Sequence, residues 1–275
     1  MGFSRRVFDF LLKLWPVTYL GYWVGRQPGL GRLARPFFST RLNQATILPV
    51  NEAVPIPTQL SLPYSLLKSL IERSDFRFIL SVCMCRAQEG CEQYPHQYGC
   101  IFLGEAARRI HPSMGRAVDV EQALAYVQHT IELGLVPMVA HSIYDSVLLN
   151  VPFKQMLAVC FCCDCCCVVR RGLRTGPPSF GEIVQRLPGL SVSAGEACLL
   201  CGACQAVCPV QAITMGEQRA EVGVNCKGCG ACVAACPNGA MQFTQAEYSK
   251  IHAALMDRVE GHSYLPMYDR RNLPV

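Results

Sequence analysis

Two stretches, CLLCGACQAVCP over Cys198 to Pro209 and CKGCGACVAACP over Cys226 to Pro237, repeat the spacing C-x2-C-x2-C-x3-C-P, with each cysteine offset by 28 positions from its counterpart. A tight loop of this kind presents three thiolates to three corners of one iron-sulfur cubane. Gly202, Gly228 and Gly230 let the backbone curl round the inorganic sulfurs and aim N–H groups at them. Zinc asks for four thiolates at one centre and gives no reason for a third C-x2 step followed by C-x3-C-P in both copies. Closed clusters of this type relay single electrons rather than bind substrate. Lys227, between two ligands, either raises one cluster's potential through its charge or is a solvated side chain.

Ten of the eighteen cysteines lie outside the repeat. Four fall in CMCRAQEGCEQYPHQYGC, as Cys83, Cys85, Cys91 and Cys100. Six fall in CFCCDCCC, as Cys160, Cys162, Cys163, Cys165, Cys166 and Cys167. In an extended chain Cys160 and Cys162 share one side while Cys163, Cys165 and Cys167 share the other, so neighbours need not compete for one metal corner. If the strands FILSVCMC and MLAVCFCC lie near each other, their ends form a thiolate-rich pocket that Cys91 and Cys100 close from the intervening loop. Such a pocket suits one or two additional iron-sulfur clusters. A zinc or copper thiolate site, a redox-active dithiol and plain buried thiols are the other readings. Arg86 is placed to donate to cluster sulfurs or to neutralise the local charge, and His96 and His141 are candidate ligands or proton donors.

Residues of about Leu190 to Thr244 resemble bacterial-type ferredoxins with two [4Fe-4S] clusters, and Pro209 and Pro237 end each run as in that family. The resemblance implies a pseudo-twofold fold with short strands around LSVS and MQFT pairing at the rim. It also implies that the fourth cysteine of each run ligates the other cluster. One cluster then takes Cys198, Cys201, Cys204 and Cys236, and the other takes Cys226, Cys229, Cys232 and Cys208. The earlier pattern CxCR…YP…GC…CCxCCC, over about Leu80 to Arg171, resembles poorly characterised cysteine-rich proteins fused to ferredoxin domains in anaerobic microbes, a resemblance that supplies no activity.

Around these ligands the expected architecture is α+β: a cysteine-rich α/β N-terminal domain followed by a small pseudo-twofold ferredoxin-like dicluster domain. Residues 1–45 read as an amphipathic docking or membrane-surface segment. Its helix up to Pro16 carries Val7, Phe8, Leu11, Leu12 and Trp15 on one face. Residues 46–173 form the cysteine-rich domain. Within it follow a proline-rich loop (Pro49, Pro55, Pro57, Pro63), a helix in SLLKSLIERS and a strand FRFILSVCMCR that delivers Cys83 and Cys85. FLGEAARRIH reads as helical. DVEQALAYVQHTIELG reads as a helix capped by Asp119 with Gln122 and terminated by Gly134. LVPMVAHSIY and KQMLAVCFCC read as extended segments. Residues 174–189 read as a linker with a short helix in GEIVQRL, residues 190–244 as the dicluster domain, and residues 245–275 as a C-terminal helix ending near Gly261 and a polar tail.

Composition bounds the function. With 275 residues, 51% hydrophobic and 16% charged, the chain can bury a sizeable core. Eighteen cysteines would overload a disulfide framework, and no secretory signal is evident in Phe8 to Val24, so a reducing, cytoplasmic compartment is expected, with the first 40 residues against a partner or the cytoplasmic membrane face. Four thiolates on a [4Fe-4S]2+ core carry −2, so two clusters bring the formal +5 to about +1. That removes any case for nucleic acid as a partner. No G-x-G-x-x-G after a strand and no G-x4-G-K-[ST] occurs, so flavin or nicotinamide chemistry would come from a partner. Two functions follow. One is a multi-cluster electron-transfer protein or subunit serving a redox protein or larger oxidoreductase complex. The other is a reductase whose N-terminal cysteine-rich site is catalytic and is fed by the ferredoxin part.

Overall fold

The computed structural model describes residues 1–48, 62–163 and 165–260. Pro49, Pro55 and Pro57 of the proline-rich loop, Asp164 and the expected tail from Gly261 lie outside the described residues. In chain order the strands are β1 (Asn43–Ile47), β2 (Arg77–Leu80), β3 (Ile101–Leu103), β4 (Gly115–Ala117), β5 (Val136–Ser142), β6 (Leu157–Cys162), β7 (Val184–Arg186), β8 (Leu190–Ala194), β9 (Ile213–Met215), β10 (Ala220–Val222) and β11 (Met241–Gln245). The helices are α1 (Arg5–Leu12), α2 (Pro16–Arg26), α3 (Gly31–Ala34), α4 (Leu62–Arg73), α5 (Met84–Gln88), α6 (Val120–Glu132), α7 (Ile143–Leu149), α8 (Val168–Thr175), α9 (Phe180–Ile183), α10 (Ala203–Ala206), α11 (Ala231–Ala234) and α12 (Tyr248–Glu260).

The architecture is α+β. Seven strands form one sheet in the order β4-β2-β3-β6-β5-β1-β7, antiparallel throughout except for the parallel β1–β7 pair at one edge. Helices cover both faces, so the central strands read as continuous apolar runs rather than alternating ones. In β6, Leu157, Val159 and Phe161 join the core beneath α4, α6 and α12, while Ala158, Cys160 and Cys162 join the core beneath α1, α2 and α9. The pleat therefore sorts the cysteines of this strand before any metal does. Helix α6 begins with the expected capping box, in which Gln122 N–H donates to Asp119 at 2.8 Å, and Gly134 (φ 80°) follows its end. Strands β8 and β11 pair antiparallel, with Val192 opposite Phe243, and with the β9–β10 hairpin they frame a smaller core of their own.

Several local expectations change. FRFILSVCMCR stops being a strand at Leu80: Cys83 caps the short helix α5 and Cys85 lies inside it. Strands β2 and β6 are not neighbours, because β3 runs between them. FLGEAARRIH is the end of β3 followed by a 3-10 turn over Glu105–Arg109. The segment 174–189 contains α9 and then β7, which adds to the main sheet beside β1, so the VQR of GEIVQRL is strand. Parallel pairing with Ala45–Ile47 satisfies the backbone groups of Val184–Arg186 in place of helical bonds. In the N-terminal segment the buried stripe is Phe8, Leu12 and Tyr22 with Trp15 and Tyr19 packed against it, whereas Val7 is 41% exposed. Helix α12 does not stand apart. Ile251, Leu255, Met256 and Val259 are buried on the main sheet, and Arg258 donates to Thr46 Oγ1 (2.8 Å) and to the Arg186 carbonyl (3.2 Å).

Candidate metal centres

The C-terminal repeat folds into two matching loops, each entering a one-turn helix through a left-handed glycine, Gly202 (φ 77°) before α10 and Gly230 (φ 82°) before α11. The match extends to positions where glycine is absent. Leu200 (φ 53°) corresponds to Gly228 (φ 63°), and Gln211 (φ 51°) corresponds to Gly239 (φ 63°). Two non-glycine residues thus hold a conformation that L side chains resist, because the loop geometry is common to both copies.

A cavity in this domain is lined by Cys198, Cys201, Cys204 and Cys236, together with Met215 and Met241. Three of these thiols come from the first repeat and the fourth from the second. Cys208, Cys226, Cys229 and Cys232 are mutually close, so that the charges of the other three raise the Cys232 pKa to about 12 after burial has done the most. Backbone N–H groups of Ala212, Ala220 and Gly228 donate to the sulfurs of Cys208, Cys198 and Cys226 at 3.2, 3.4 and 3.4 Å. Clustered thiols, an apolar lining and N–H groups aimed at sulfur fit a pair of [4Fe-4S] cubanes, which supply one-electron redox chemistry when bound. Lys227 is not simply solvated. Its ammonium donates to the Gly181 carbonyl at 2.6 Å, and burial lowers its pKa, so it fastens the repeat to α9.

The ten remaining thiols separate into groups on the two faces of the sheet. On one side, Cys91, Cys163, Cys165 and Cys166 have their sulfurs all within 4.8 Å of one another, and Cys91 Sγ is 3.4 Å from Cys165 Sγ. On the other side, Cys83, Cys85, Cys167 and Cys162 form a hydrogen-bonded series, with Cys100 Sγ 3.3 Å from Cys160 Sγ nearby. Cys167 therefore sits with Cys162 rather than with Cys163 and Cys165. The strand ends at Cys162, the chain turns, and alternation no longer governs residues 163–167. Cys91 and Cys100 do not close one pocket either, because Cys91 joins the core on one face and Cys100 the core on the other.

Electrostatics follow the placement. Cys167 is held well below the usual thiol range by hydrogen bonds from Cys162 and Cys85, with N–H groups of Arg170 and Val169 at the start of α8 adding to the effect. Cys83 is lowered to about 7, first by its hydrogen bond with Cys85, against burial and with help from Arg86. Arg86 is fully buried between the two groups. Its Nε and Nη1 donate to the carbonyls of Pro95 (3.0 Å) and Phe161 (2.8 Å), and its Nη2 to that of Tyr98. Burial works against its charge, and the nearby thiols of Cys83, Cys163 and Cys100 outweigh burial, raising its pKa. Arg86 thus neutralises the thiol-rich interior while most of its donors go to carbonyls. The expected histidine ligands are placed otherwise: His96 Nε2 bonds the Cys91 carbonyl (2.8 Å) and His141 Nδ1 that of Met156 (2.9 Å).

Arg170 and Arg171, which sequence reasoning passed over, lie at the junctions. Buried Arg170 acts electrostatically on both Cys162 and Cys229. Arg171 pairs with Glu89 at 2.7 Å. Their position, separated from CFCCDCCC by two residues, was the available signal.

Taken with the fold, these centres define an α+β, cysteine-rich iron-sulfur protein. The model of the family described as 4Fe-4S dicluster domain matches residues 191–237, which assigns [4Fe-4S] binding to a ferredoxin-like C-terminal region. No curated protein and no solved structure matches the chain. Among the described residues no helix is long and apolar enough to cross a membrane.

Proposed function

We propose that the chain is a multi-cluster electron-transfer protein or subunit, with one cubane on Cys198, Cys201, Cys204 and Cys236, a second on Cys226, Cys229, Cys232 and Cys208, and a third on Cys83, Cys85, Cys162 and Cys167. One observation carries this reading. Cys229 packs against the core that contains Cys162 and Cys167, and Arg170 acts on both sides of that contact. The second dicluster site thereby abuts the N-terminal thiols, and single electrons have a route from one to the other. The acceptor or donor is a redox protein or a larger oxidoreductase complex.

The reductase alternative rests on Cys100 and Cys160, a close pair left over when the third cubane is filled. Their mutual hydrogen bond raises the Cys160 pKa and works against the rise at Cys100, while burial and neighbouring negative charge raise both, which suppresses the thiolate needed for disulfide exchange. The wire is the better-supported function.

Residues 1–40 supply a docking face toward an anionic membrane surface on the cytoplasmic side. Phe10, Leu14, Val17, Leu20 and Trp23 are each more than half exposed. Around them stand exposed Arg6, Lys13, Arg26, Arg32 and Arg35, against Asp9 as the single acid in that stretch. An apolar stripe rimmed by cations complements a bilayer interface with acidic headgroups.

Iron and acid-labile sulfide analysis of anaerobically purified protein, with EPR after reduction, tests the wire. The reading requires about twelve irons with matching sulfide per chain, where the dicluster domain alone would hold about eight. A count of eight, or a third signal that fails to accept electrons from the dicluster pair, would remove it.

A further inference from the structure

The two N-terminal thiol groups differ in compactness. Four thiolates on one ion with metal–sulfur bonds of about 2.3 Å stand roughly 3.8 Å apart at the corners of a tetrahedron. In a cubane each thiolate takes a separate iron, the inorganic core stands between them, and the sulfurs are spread well beyond that spacing. The molecule contains its own reference. The eight thiols of the dicluster region, which bind cubanes, form no set of three or more sulfurs within 4.8 Å among the described residues, whereas Cys91, Cys163, Cys165 and Cys166 do.

We infer that Cys91, Cys163, Cys165 and Cys166 bind a single tetrahedral thiophilic divalent ion, zinc or ferrous iron, in an all-thiolate site without inorganic sulfide. The surroundings are those of a closed structural site. Cys91, Cys163 and Cys166 are buried, and no water-bearing fourth position is needed because all four ligands come from the chain. Backbone N–H groups of Gln93 and Tyr94 donate to Cys91, and the Arg86 side chain hydrogen-bonds Cys163, so the sulfurs have the outer partners that orient metal ligands. His96 ties the loop back through the Cys91 carbonyl. Binding is a simple exchange: the ion gains four thiolate bonds and the thiol protons leave to solvent, giving a dianionic site beside the Arg86 guanidinium. The ion clamps the loop after α5 to the chain leaving β6, and so fixes the turn from which Cys162 and Cys167 reach the opposite face.

The inference stands apart from the electron-transfer reading, since its readout is a metal without sulfide. Full-length protein purified anaerobically is analysed for zinc, iron and acid-labile sulfide, alongside Cys165→Ser, Cys166→Ser and, as control, Cys198→Ser. The expected result is one ion per chain in excess of sulfide, lost in Cys165→Ser and Cys166→Ser with sulfide unchanged, while Cys198→Ser loses iron and sulfide together. Zinc as the excess ion identifies an inert site and iron a rubredoxin-type site, and either supports the inference. Equal loss of iron and sulfide in the first two variants, or no excess ion in the wild type, overturns it. Should those variants fail to fold, the excess ion of the as-isolated wild-type chain gives the second reading, by zinc-edge X-ray absorption or, for iron, by Mössbauer spectroscopy. Four sulfur neighbours at about 2.3 Å with no short metal–metal distance, or a separate mononuclear iron–thiolate component, are expected, and their absence counts against the site.

Discussion

Arg171 Nη1 lies 2.7 Å from Glu89 Oε2, joining the helix that follows CFCCDCCC to the residue that closes the helix following Cys83. The other carboxylate oxygen accepts from Trp15 Nε1 at 2.7 Å and from the Tyr19 hydroxyl, so one glutamate anchors three segments. Glu89→Ala strands these donors and is expected to cost about 2–3 kcal/mol in chemical denaturation.

The same site is sensitive to acid. Burial opposes ionisation of Glu89, but hydrogen bonds from Tyr19 and Trp15 and the charge of Arg171 outweigh it and lower the pKa below the ordinary value. A folded pKa below the unfolded one contributes stability that is complete above about pH 5 and is lost as pH falls through the folded value. The stability gap between wild type and Glu89→Gln should therefore shrink toward pH 3. A gap of constant size across that range would contradict the assignment.

Crossed ligation makes a prediction about pairs. Cys198→Ser combined with Cys236→Ser should lose no more iron than either change alone, about four per chain, because both thiols serve one cubane. Cys198→Ser combined with Cys208→Ser should lose about eight. Iron analysis of the two double variants decides the matter, and the reverse ranking would mean uncrossed loops.

The two repeats share a backbone conformation but not the residues that hold it. Gly202 is left-handed with nothing within 4 Å of an added Cβ, so Gly202→Ala isolates conformational strain and should cost about 1–2 kcal/mol. Gln211→Gly, at the exposed position whose counterpart is already Gly239, should raise stability by about 0.5–1 kcal/mol, the relief of strain less the entropy of glycine. Thermal melts of the cluster-loaded protein read both.

Membrane docking is tested with vesicles. Wild type should co-sediment with vesicles rich in phosphatidylserine and weaken as salt rises, while Phe10→Ser with Trp23→Ser should reduce binding at least tenfold without changing cluster content. Indifference of the wild type to acidic vesicles would remove the lipid as occupant of that face.

The eight dicluster thiols were legible because their ligand loops are local: twelve residues contain the geometry, and the 28-residue offset repeats it. The ten others were legible as candidate ligands but not in their grouping. Cys91 and Cys163 meet only because β3, β6 and the intervening helices bring distant segments together, and Cys167 changes side because the strand ends one residue before Cys163. The strand β7 was hidden in GEIVQRL because its partner is β1, more than a hundred residues earlier, and no local pattern records that pairing. Helix α6, with its own cap and stop signals, needed no tertiary information.

Helix α12 and strand β7 stand at the exit and entrance of the dicluster region, and Arg258 of α12 holds the Arg186 carbonyl of β7 and Thr46 of β1 together. A module fastened at both ends cannot travel between partners as a swinging carrier. On the proposed wire, electron exchange with a cluster on the N-terminal thiols would cross a fixed gap, with a rate set by distance and driving force rather than by domain search. Leu255→Ala, expected to cost about 2–5 kcal/mol by opening a cavity under α12, would loosen that gap, and intramolecular transfer should become slower and heterogeneous while the cluster count stays the same.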